Sequence, residues 1–290
     1  MAGVNQHPQR PRLVIPLFAA VIALTGCKST MQSNPDPNPG GPDAPPGMEI
    51  IAHRGFSHVA PENTVAAYRK AWEAGADGAE TDVYLTRDNQ VVAIHDKTTK
   101  RTCGADLDVK SSTYDALREL DAGILKDPKF AGERIPRLQE ILASLPPGKP
   151  LYVEIKCGTE ILPALESALD ESGKRAQVVL IGFELTTVAE AKKRMPDRPV
   201  LWLRGTREDK KTKEKFPHDL AWVGQAHDRG LDGLDVDYAG MTREFADAVH
   251  SAGLKLTVWT VNDPEIAAKM RDLGADGLTT DRPDLMRDLR

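Results

Sequence analysis

Short apolar runs rich in β-branched residues recur eight times after residue 48, and amphipathic stretches separate them. Val65, Tyr68 and Trp72 have the spacing of one face of a helix, as do Phe245 and Val249. Eight strand and helix units in this length predict one (β/α)8 TIM barrel, an α/β fold that commonly takes about 250 residues. A doubly wound open sheet is the alternative, but no glycine-rich phosphate loop follows the first run. The runs lie at residues 48–53, 78–84, 150–156, 177–183, 199–204, 231–237, 255–261 and 275–280.

The charge and aromatic content exclude one class of function. The chain has a net charge of -5 and 5% aromatic residues, whereas proteins that coat nucleic acid cluster Lys and Arg against the phosphates. Nucleic acid is therefore not an expected partner. A small anionic ligand is compatible with an acidic chain, because a local site can have the opposite sign.

Residues 1–26 have the pattern of an export signal. Two arginines precede an apolar run at residues 13–24, which is too short to span a bilayer as a helix. The Leu-Thr-Gly-Cys sequence at residues 24–27 resembles the lipobox of bacterial lipoproteins. This resemblance implies cleavage before Cys27, lipidation of Cys27, and a place on the periplasmic or extracellular face of a bacterial cell envelope. An ordinary secreted or uncleaved leader, in which Cys27 has no role, is the alternative.

Residues 27–47 are predicted to tether the lipidated cysteine to a barrel domain at 48–290. Six of residues 34–47 are prolines and three are glycines. Such a stretch cannot bury enough apolar surface to fold, and Pro-rich chains extend by about 3.1 Å per residue. We therefore expect the barrel to lie at some distance from the membrane. The oligomeric state is open.

Export would leave Cys103 and Cys157 as the unmodified thiols of the mature chain. An oxidising compartment permits a disulfide between them. Two free cysteines are the alternative, and both stay open at this point.

Carboxylates interrupt the carboxyl ends of two predicted strands, where TIM barrels place their active sites. Glu80 and Asp82 alternate onto one face of a strand, and Glu154 and Lys156 do the same in the next run. Three carboxylates and a lysine in one barrel mouth are costly to desolvate unless they are paired. Oxygen ligands favour hard ions, so the pattern predicts one divalent cation, Mg²⁺ or Ca²⁺. Each acid alone has a simpler interpretation as a member of a structural ion pair.

Two histidines are predicted beside these carboxylates. His53 ends the first run, directly before Arg54. A turn signal at residues 88–89 predicts a hairpin in which Asp82 lies opposite Ile94 or His95. The charged run at 207–215 is predicted to be a solvated loop. The remaining histidines of the domain are expected at the surface or in helices: His58, His218, His227 and His250.

Six short motifs together resemble those of the glycerophosphodiester phosphodiesterase family, over residues 50–284. They are His53-Arg54-Gly55, Pro61-Glu62-Asn63-Thr64, Glu80-Thr81-Asp82-Val83, His95-Asp96, Val153-Glu154-Ile155-Lys156 and Val258-Trp259-Thr260-Val261-Asn262. The resemblance implies roles for eight of these residues. It implies His53 and His95 as the acid/base pair, Glu80, Asp82 and Glu154 as metal ligands, Arg54 and Lys156 as phosphate contacts, and Trp259 as a wall of the alcohol pocket.

The resemblance leaves some positions open. Glu62 either orients a histidine or arginine beside the substrate or closes the loop before the first helix, which Asn63 or Thr64 would cap. Residues 97–137 stand where the family has an insertion over the barrel mouth. Gly182 and Arg137 depart from the family pattern, and we expect them to affect substrate preference.

The resemblance and the residue chemistry imply a metal-dependent hydrolase. It would cleave glycerophosphodiesters to glycerol 3-phosphate and an alcohol, with two histidines as general acid and base. Cleavage of lysophospholipids in the manner of a lysophospholipase D is the second hypothesis. A non-catalytic lipoprotein that binds phosphorylated ligands is the third, but such a protein has no need for every catalytic position to be filled.

Overall fold

A computed structural model of the protein describes residues 1–3 and 47–289. The predicted signal peptide, Cys27 and nearly all of the tether lie outside this description. Within the parts of the chain that it covers, no helix is both long enough and apolar enough to cross a bilayer.

The described residues form one sheet in which eight parallel strands close into a barrel. The order around the barrel is β1-β9-β8-β7-β6-β5-β4-β2, and closure follows because β1 pairs with both β9 and β2. This confirms the TIM barrel and excludes the open sheet. The strands are β1 Glu49–Ala52, β2 Gly78–Leu85, β3 Val91–Ala93, β4 Leu151–Ile155, β5 Val178–Gly182, β6 Val200–Arg204, β7 Gly233–Asp237, β8 Lys255–Trp259 and β9 Gly277–Thr280.

The short strand β3 lies outside the barrel repeat. It pairs antiparallel with the end of β2 as a hairpin. Directly after β3, the Ile94 backbone N–H donates to the Asp82 carbonyl oxygen at 3.1 Å. The predicted hairpin and its register are therefore confirmed.

Helices follow the barrel strands and bury one face against the sheet. The first helix begins where the Thr64 side chain accepts a hydrogen bond from the Ala67 amide, and it buries Ala67, Tyr68 and Ala71. The helix before β8 is capped by Thr242 in the same way. The helices are α1 Val65–Glu73, α2 Lys100–Cys103, α3 Tyr114–Arg118, α4 Leu138–Ala143, α5 Leu162–Ser172, α6 Leu185–Arg194, α7 Ala221–His227, α8 Arg243–Ser251 and α9 Pro264–Leu273.

The interior of the barrel is apolar in the middle and polar at both ends. Ile51, Ile181 and Leu201 pack together inside it. At the amino ends of the strands, Glu49 accepts hydrogen bonds from the Tyr152 hydroxyl at 2.8 Å and from the Lys255 ammonium at 2.7 Å, which closes the barrel there. Because side chains alternate between faces, the next inward positions toward the carboxyl ends carry the polar residues predicted above.

Residues 97–137 form an insertion. Its side chains Val109, Tyr114 and Leu117 share a small core with side chains of the β2–β3 hairpin. Two of its side chains reach groups beside the barrel mouth, as expected for a segment at this place. The Lys126 ammonium donates to the carbonyl oxygen of Ser57 at 2.8 Å, in the loop after β1. Arg101 makes the second connection and is described with the site.

The sequence-based expectations for the thiols and for one histidine can now be compared with the structure. Cys103 and Cys157 are both free, so of the two alternatives the protein has unpaired thiols. The prediction for His218 is wrong. It lies in a loop, is only 5% exposed, and packs between the rings of Trp222 and Phe245 at 5.4 and 5.1 Å. Aromatic burial of a loop residue leaves no periodic signal, which is why the sequence did not reveal it.

The other histidines and the charged run agree with expectation. His58, His227 and His250 are exposed, and the latter two lie in helices. Nearly every residue of the run at 207–215 is exposed, and its ends meet at a bridge between Glu208 and Lys215.

Candidate active site

Three carboxylates meet at the carboxyl ends of two neighbouring strands. β2 supplies Glu80 and Asp82, and β4 supplies Glu154, which stands next to Asp82 in the parallel register. One oxygen of each of the three side chains lies within 4.8 Å of the others. Glu80 and Asp82 are almost fully buried, at 3% and 0% exposure. The structure therefore brings together the three predicted metal ligands.

The electrostatics of this carboxylate triad fit a bound cation. Burial, together with the negative charges of Asp82 and Glu154, raises the pKa of Glu80 well above its usual value. Burial and Asp82 likewise raise the pKa of Glu154 to about 7. Glu80 Oε1 and Asp82 Oδ1 are buried and have no hydrogen-bond partner within the described part of the chain. Carboxylate oxygens without partners are the ligands that a hard divalent ion takes up.

Asp82 is held by a buried asparagine whose role sequence analysis missed. The Asn63 amide nitrogen donates to Asp82 Oδ2 at 2.8 Å, and its amide oxygen accepts from the Asp82 backbone N–H at 3.2 Å. Asn63 has a left-handed backbone conformation, with φ of 57°, immediately before the Thr64 cap. Thr64, and not Asn63, caps α1. The sequence feature that could have indicated this role is Asn63 beside Thr64 in the second motif.

Arg54 links the triad to the loop after β1. Its backbone N–H donates to Glu80 Oε2 at 2.9 Å, and its side-chain Nε lies 3.1 Å from Asp82 Oδ2. Its Nη1 donates to Glu62 at 3.0 Å. The following Gly55 has φ of 76°, and a Cβ there would lie 2.6 Å from the backbone of Ala67. A glycine after Arg54 therefore allows this loop to pack against α1.

Lys156 lies on the other side of the triad. Its ammonium donates to Glu154 Oε1 at 2.8 Å and lies 3.5 Å from Asp82 Oδ1. Burial lowers the pKa of Lys156, but the two carboxylates outweigh it and the net shift is upward, so the side chain stays charged. Although burial opposes ionisation of Asp82, the charges of Arg54 and Lys156 hold its pKa below the usual value.

His53 is oriented by an aspartate that sequence analysis missed. Its Nδ1 lies 2.7 Å from Oδ1 of Asp281, which directly follows β9. Asp281 also accepts hydrogen bonds from Ser57 at 2.9 Å and from Asn262 at 2.7 Å. Burial tends to raise the pKa of Asp281, but the hydrogen bonds from His53, Asn262 and Ser57 lower it well below its usual range. A polar residue directly after the last predicted strand is the same signal that identified the other site residues.

His95 is oriented by Asp96, which a residue of the insertion holds in place. Its Nδ1 lies 2.7 Å from Asp96 Oδ1, and Asp96 Oδ2 accepts from Arg101 Nε at 2.6 Å. Arg101 also donates to both oxygens of Glu62, at 2.6 and 2.8 Å, and Glu62 binds Arg54. Arg101 therefore connects two parts of the site that no sequence pattern relates. Sequence analysis did not identify this residue.

These side chains line one cavity of about 160 Å³ at the carboxyl end of the barrel. His53, Arg54, Glu80, His95, Glu154 and Lys156 form one side of it. The other side is formed by the ends of strands β5 to β9, with Ile181, Phe183, Leu203, Asp235, Trp259, Thr260 and Thr279. Phe183 and Trp259 meet edge to face, with ring centroids 5.7 Å apart. Trp259 therefore lines the same cavity as the two histidines, and its role as a wall of the alcohol pocket stays a prediction.

Glu62, Gly182 and Arg137 lie outside this cavity. Glu62 lies behind Arg54, which it holds together with Arg101. A Cβ on Gly182 would point at a side chain of the helix layer, 3.1 Å away, because residue 181 takes the inward position. The Arg137 guanidinium stacks over a tyrosine ring in the insertion core, at 5.1 Å. Neither Gly182 nor Arg137 reaches the cavity, so neither provides the expected influence on the substrate by direct contact.

A (β/α)8 barrel with three clustered carboxylates, two histidines, an arginine and a lysine at one mouth has the groups that a phosphodiester hydrolase requires. The chain matches the sequence profile of the glycerophosphoryl diester phosphodiesterase family over residues 53–285. It belongs to this family and is a phosphoric diester hydrolase.

Individual relatives agree with this assignment. A glycerophosphodiester phosphodiesterase from Caldanaerobacter subterraneus is 35% identical over 83% of this chain and 96% of its own length. A human lysophospholipase D is 26% identical over 82% of this chain and 84% of its own length. Among solved structures, an Oleispira antarctica phosphodiesterase in complex with the product sn-glycerol-3-phosphate has a TM-score of 0.76. It is 26% identical, and the match covers 84% of this chain and 96% of that one.

Proposed function

We propose that the protein hydrolyses glycerophosphodiesters to glycerol 3-phosphate and an alcohol, and that it needs one divalent cation, Mg²⁺ or Ca²⁺. The observation that carries this proposal is the cavity itself. Its surface joins Glu80 and Glu154 of the carboxylate triad, with Asp82 buried directly behind them, to two positively charged side chains and two carboxylate-oriented imidazoles. The product complex of the Oleispira relative and the names of the bacterial relatives support the same substrate class.

Each charged group has a task in this reaction. Glu80, Asp82 and Glu154 would hold the cation, which when bound supplies electrostatic stabilisation for the charge of the phosphodiester. Arg54 and Lys156 add charge-assisted hydrogen bonds to phosphate oxygens. Their own hydrogen bonds and ion pairs with the carboxylates hold both side chains in place before substrate binds. This preorganisation lowers the cost of reaching the transition state.

The two histidines divide the proton transfers. One accepts a proton from the oxygen that attacks phosphorus, which belongs to water or to a neighbouring glycerol hydroxyl, and the other donates a proton to the alkoxide that leaves as its bond to phosphorus breaks. When the glycerol hydroxyl attacks, water then opens the cyclic phosphate to give glycerol 3-phosphate. Nδ1 of His53 and Nδ1 of His95 are each engaged by an aspartate. Nε2 of each ring is therefore the nitrogen available to exchange a proton with the substrate.

A second groove bears on the choice of substrate. It has a volume of about 530 Å³, shares Lys156 with the active site, and is lined by both charged and apolar groups, with more apolar than polar surface exposed. Arg87, Lys97 and Lys110 are among the charged groups. Its charged side chains suit a water-soluble headgroup and its apolar surface suits an acyl chain, so the groove is compatible with both substrates. The names of the bacterial relatives and the product complex, and not this groove, favour glycerophosphodiesters over the lysophospholipase D reaction that the human relative is named for.

Membrane attachment is a separate part of the proposal. The lipobox-like sequence before Cys27 and the Pro-rich stretch that follows support an exported, lipid-anchored enzyme at the bacterial cell envelope. We expect the full chain expressed in a bacterium to incorporate labelled palmitate and to sediment with membranes. Cys27→Ser should abolish both. Equal labelling of wild type and variant would disprove the anchor without affecting the proposed reaction.

A metal-controlled assay tests the reaction. Purified protein is treated with a chelator, dialysed, and supplied with Mg²⁺, Ca²⁺ or no metal. Release of glycerol 3-phosphate and of the free alcohol is then measured from glycerophosphocholine, glycerophosphoethanolamine, glycerophosphoglycerol and a lysophosphatidylcholine. We expect turnover of the first three only, abolished by chelation and restored by a divalent ion. Full activity after chelation, or a preference for the lysophospholipid, would contradict the proposal.

A further inference from the structure

Asp235 is a buried acid on the cavity wall that has no task in the mechanism above. It lies in the middle of β7 and lines the cavity. In the barrel order, β7 stands four strands from β2 in either direction. Asp235 therefore lies across the barrel from Glu80 and Asp82, and none of the charges that act on its carboxyl group comes from the carboxylate triad.

The Asp235 side chain has little support from the protein. It is 2% exposed, and its Oδ1 has no hydrogen-bond partner among the residues for which the structure gives positions. Burial raises its pKa to about 7, although the Thr257 hydroxyl and the Lys255 ammonium act in the opposite direction. Lys255 is itself engaged by Glu49 and Tyr152 at the closed end of the barrel. A buried carboxyl group without a dedicated partner is costly, and a ligand that pairs with it recovers part of that cost.

The surroundings of Asp235 indicate the chemistry of such a ligand. Thr257 stands next to Asp235 in the β7–β8 register, and its hydroxyl is also buried without a partner of good geometry among the described residues. Thr279 lines the same side of the cavity. Threonine hydroxyls donate and accept hydrogen bonds, whereas a cation needs acceptors only. The combination of a carboxyl group and two hydroxyls therefore fits a ligand hydroxyl better than an ammonium group.

The size of the cavity indicates which half of the substrate carries this hydroxyl. A cavity of about 160 Å³ that opens at the barrel mouth suits a compact group such as glycerol better than a large headgroup. With the phosphate beside the carboxylate triad, the half that every substrate shares fits inside the barrel. The variable headgroup then leaves through the mouth.

We propose that Asp235 is a specificity-determining residue that hydrogen-bonds a hydroxyl of the glycerol half of the substrate. This inference rests on the proposed function, because it takes glycerophosphodiesters as substrates. It adds an ionisable group on β7 to the ionisable groups that β1, β2, the β3 hairpin and β4 contribute to the cavity lining. The residue selects a polyol phosphate over a phosphate ester that lacks hydroxyls.

Binding of two matched ligands tests this inference. Glycerol 3-phosphate and propyl phosphate have the same carbon chain and the same charge, and only the first has free hydroxyls. Titration calorimetry with the metal present gives both dissociation constants. We expect wild type to prefer glycerol 3-phosphate by at least about tenfold, because loss of a ligand hydroxyl leaves the buried carboxyl unpaired. In Asp235→Leu, the preference should fall below about threefold, with propyl phosphate binding nearly unchanged.

Three further variants separate this role from a structural one. Asp235→Ala removes the carboxyl without adding volume, so it replaces the Leu variant if that one does not fold. Asp235→Asn keeps a donor and an acceptor and should retain most of the preference. Asp237→Asn makes the same change two residues further along β7, where the side chain accepts from the Ala239 amide, and should bind both ligands as wild type does.

Several results would overturn the inference. They are no preference in wild type, an unchanged preference in both Asp235→Leu and Asp235→Ala, or an equal loss of affinity for both ligands. A variant that instead loses discrimination between choline and uncharged headgroups in turnover would also overturn it, in favour of cation recognition. Turnover of glycerophosphocholine by wild type is the independent test of the proposed function. If turnover is absent while Asp235→Ala still erases the binding preference, the proposed function fails and the hydroxyl site stands.

Discussion

The two histidines share one cavity, but different parts of the molecule hold them. His53 is oriented by Asp281 at the end of β9, and Ser57 and Asn262 fix that aspartate. All of these groups belong to the barrel strands or to the loops that directly follow them. The His53 side chain is accordingly the more buried of the two, at 19% exposure against 32% for His95.

His95 depends on a segment outside the barrel repeat. Asp96 orients it, and Arg101 from the insertion holds Asp96. The same guanidinium holds Glu62, which in turn holds Arg54. One insertion residue thus supports both His95, which we propose transfers a proton, and Arg54, which we propose contacts the phosphate. His53 is therefore held by groups of the barrel, whereas the placement of His95 depends on a contact from the insertion.

Removal of either imidazole is the change with the largest expected effect. We expect His53→Ala and His95→Ala each to lower kcat by roughly 10²- to 10⁴-fold, because general acid and base catalysis contribute about that much. Thermal unfolding should change little, since both rings border the cavity. Steady-state assays and calorimetry measure the two quantities. His58→Ala, an exposed histidine in the loop after β1, is the matched control and should retain full activity. Substantial turnover in both cavity variants would refute the assignment.

Removal of the aspartate that orients each histidine distinguishes support by the barrel from support by the insertion. We expect Asp281→Asn and Asp96→Asn each to lower kcat by roughly 10- to 100-fold, because the ring loses the partner that sets its tautomer and orientation. Only Asp281→Asn should also lower the midpoint of thermal unfolding, since Asp281 accepts hydrogen bonds from three side chains. An equal loss of stability in the two variants would contradict the distinction between barrel and insertion.

The difference in stability between wild type and Asp281→Asn should depend on pH, and the pKa of Asp281 gives the direction of that dependence. The pKa of Asp281 in the folded protein is lower than in the unfolded chain. Its stabilising contribution is therefore present above about pH 4 and is lost as the pH falls through the folded-state pKa. Urea unfolding at pH 7 and at pH 3 should show a gap between wild type and Asp281→Asn that narrows at the lower pH. A gap that widens on acidification would argue against the His53 and Asp281 pair.

Removal of Arg101 tests how far the insertion supports the site. We expect a smaller loss of activity than for the histidine and aspartate variants. We expect Arg101→Ala to lower kcat/KM by about tenfold, because exposed ion pairs are weak but here they position two site residues. Arg101→Lys should restore part of the loss, since one ammonium cannot reproduce both pairs. Arg134→Ala, another insertion arginine that donates to the Glu119 carbonyl oxygen, is the control and should have no effect. Loss of kcat/KM only in proportion to loss of folded protein would reduce Arg101 to a structural role.

The smallest expected effect is that of Asp235→Asn, a change on the β7 wall of the barrel. Burial raises the pKa of Asp235 to about 7, so ionisation above that pH destabilises the folded state. Its native form binds a proton that the unfolded chain has released, so stability falls as the pH rises from about 4 to 7. Asp235→Asn removes this penalty. Chemical unfolding should show the variant gaining roughly 1 to 3 kcal/mol relative to wild type between pH 5 and pH 8. A constant difference would mean that Asp235 does not titrate in this range.

The predicted strands and their inward faces came from local patterns. Period-two alternation placed Glu80 and Asp82, and also Glu154 and Lys156, on one face, and the structure has them so. The same rule applied to the residue after β9 would have identified Asp281. Sequence analysis missed Asp281 because its partner His53 is 228 positions away in the sequence.

Other residues left no local signal that sequence analysis could use. Arg101 lies in a four-residue helix of an irregular segment, where no periodicity predicts direction. His218 lies in a loop, yet it is buried between two aromatic rings. Asp235 has the inward parity of its strand, but burial without a partner depends on which side chains its neighbours contribute. Such properties depend on contacts between distant parts of the chain.

Local sequence was sufficient for the barrel class, the strand positions and the side of each strand that faces inward. These follow from the spacing of apolar residues, because a strand repeats every two residues and a helix every 3.6. Three relationships required the folded chain: β7 stands opposite β2, Arg101 reaches both Asp96 and Glu62, and Asp281 orients His53. Closure of the barrel and the paths of its loops bring these groups together, and such long-range contacts depend on the packing of the whole domain.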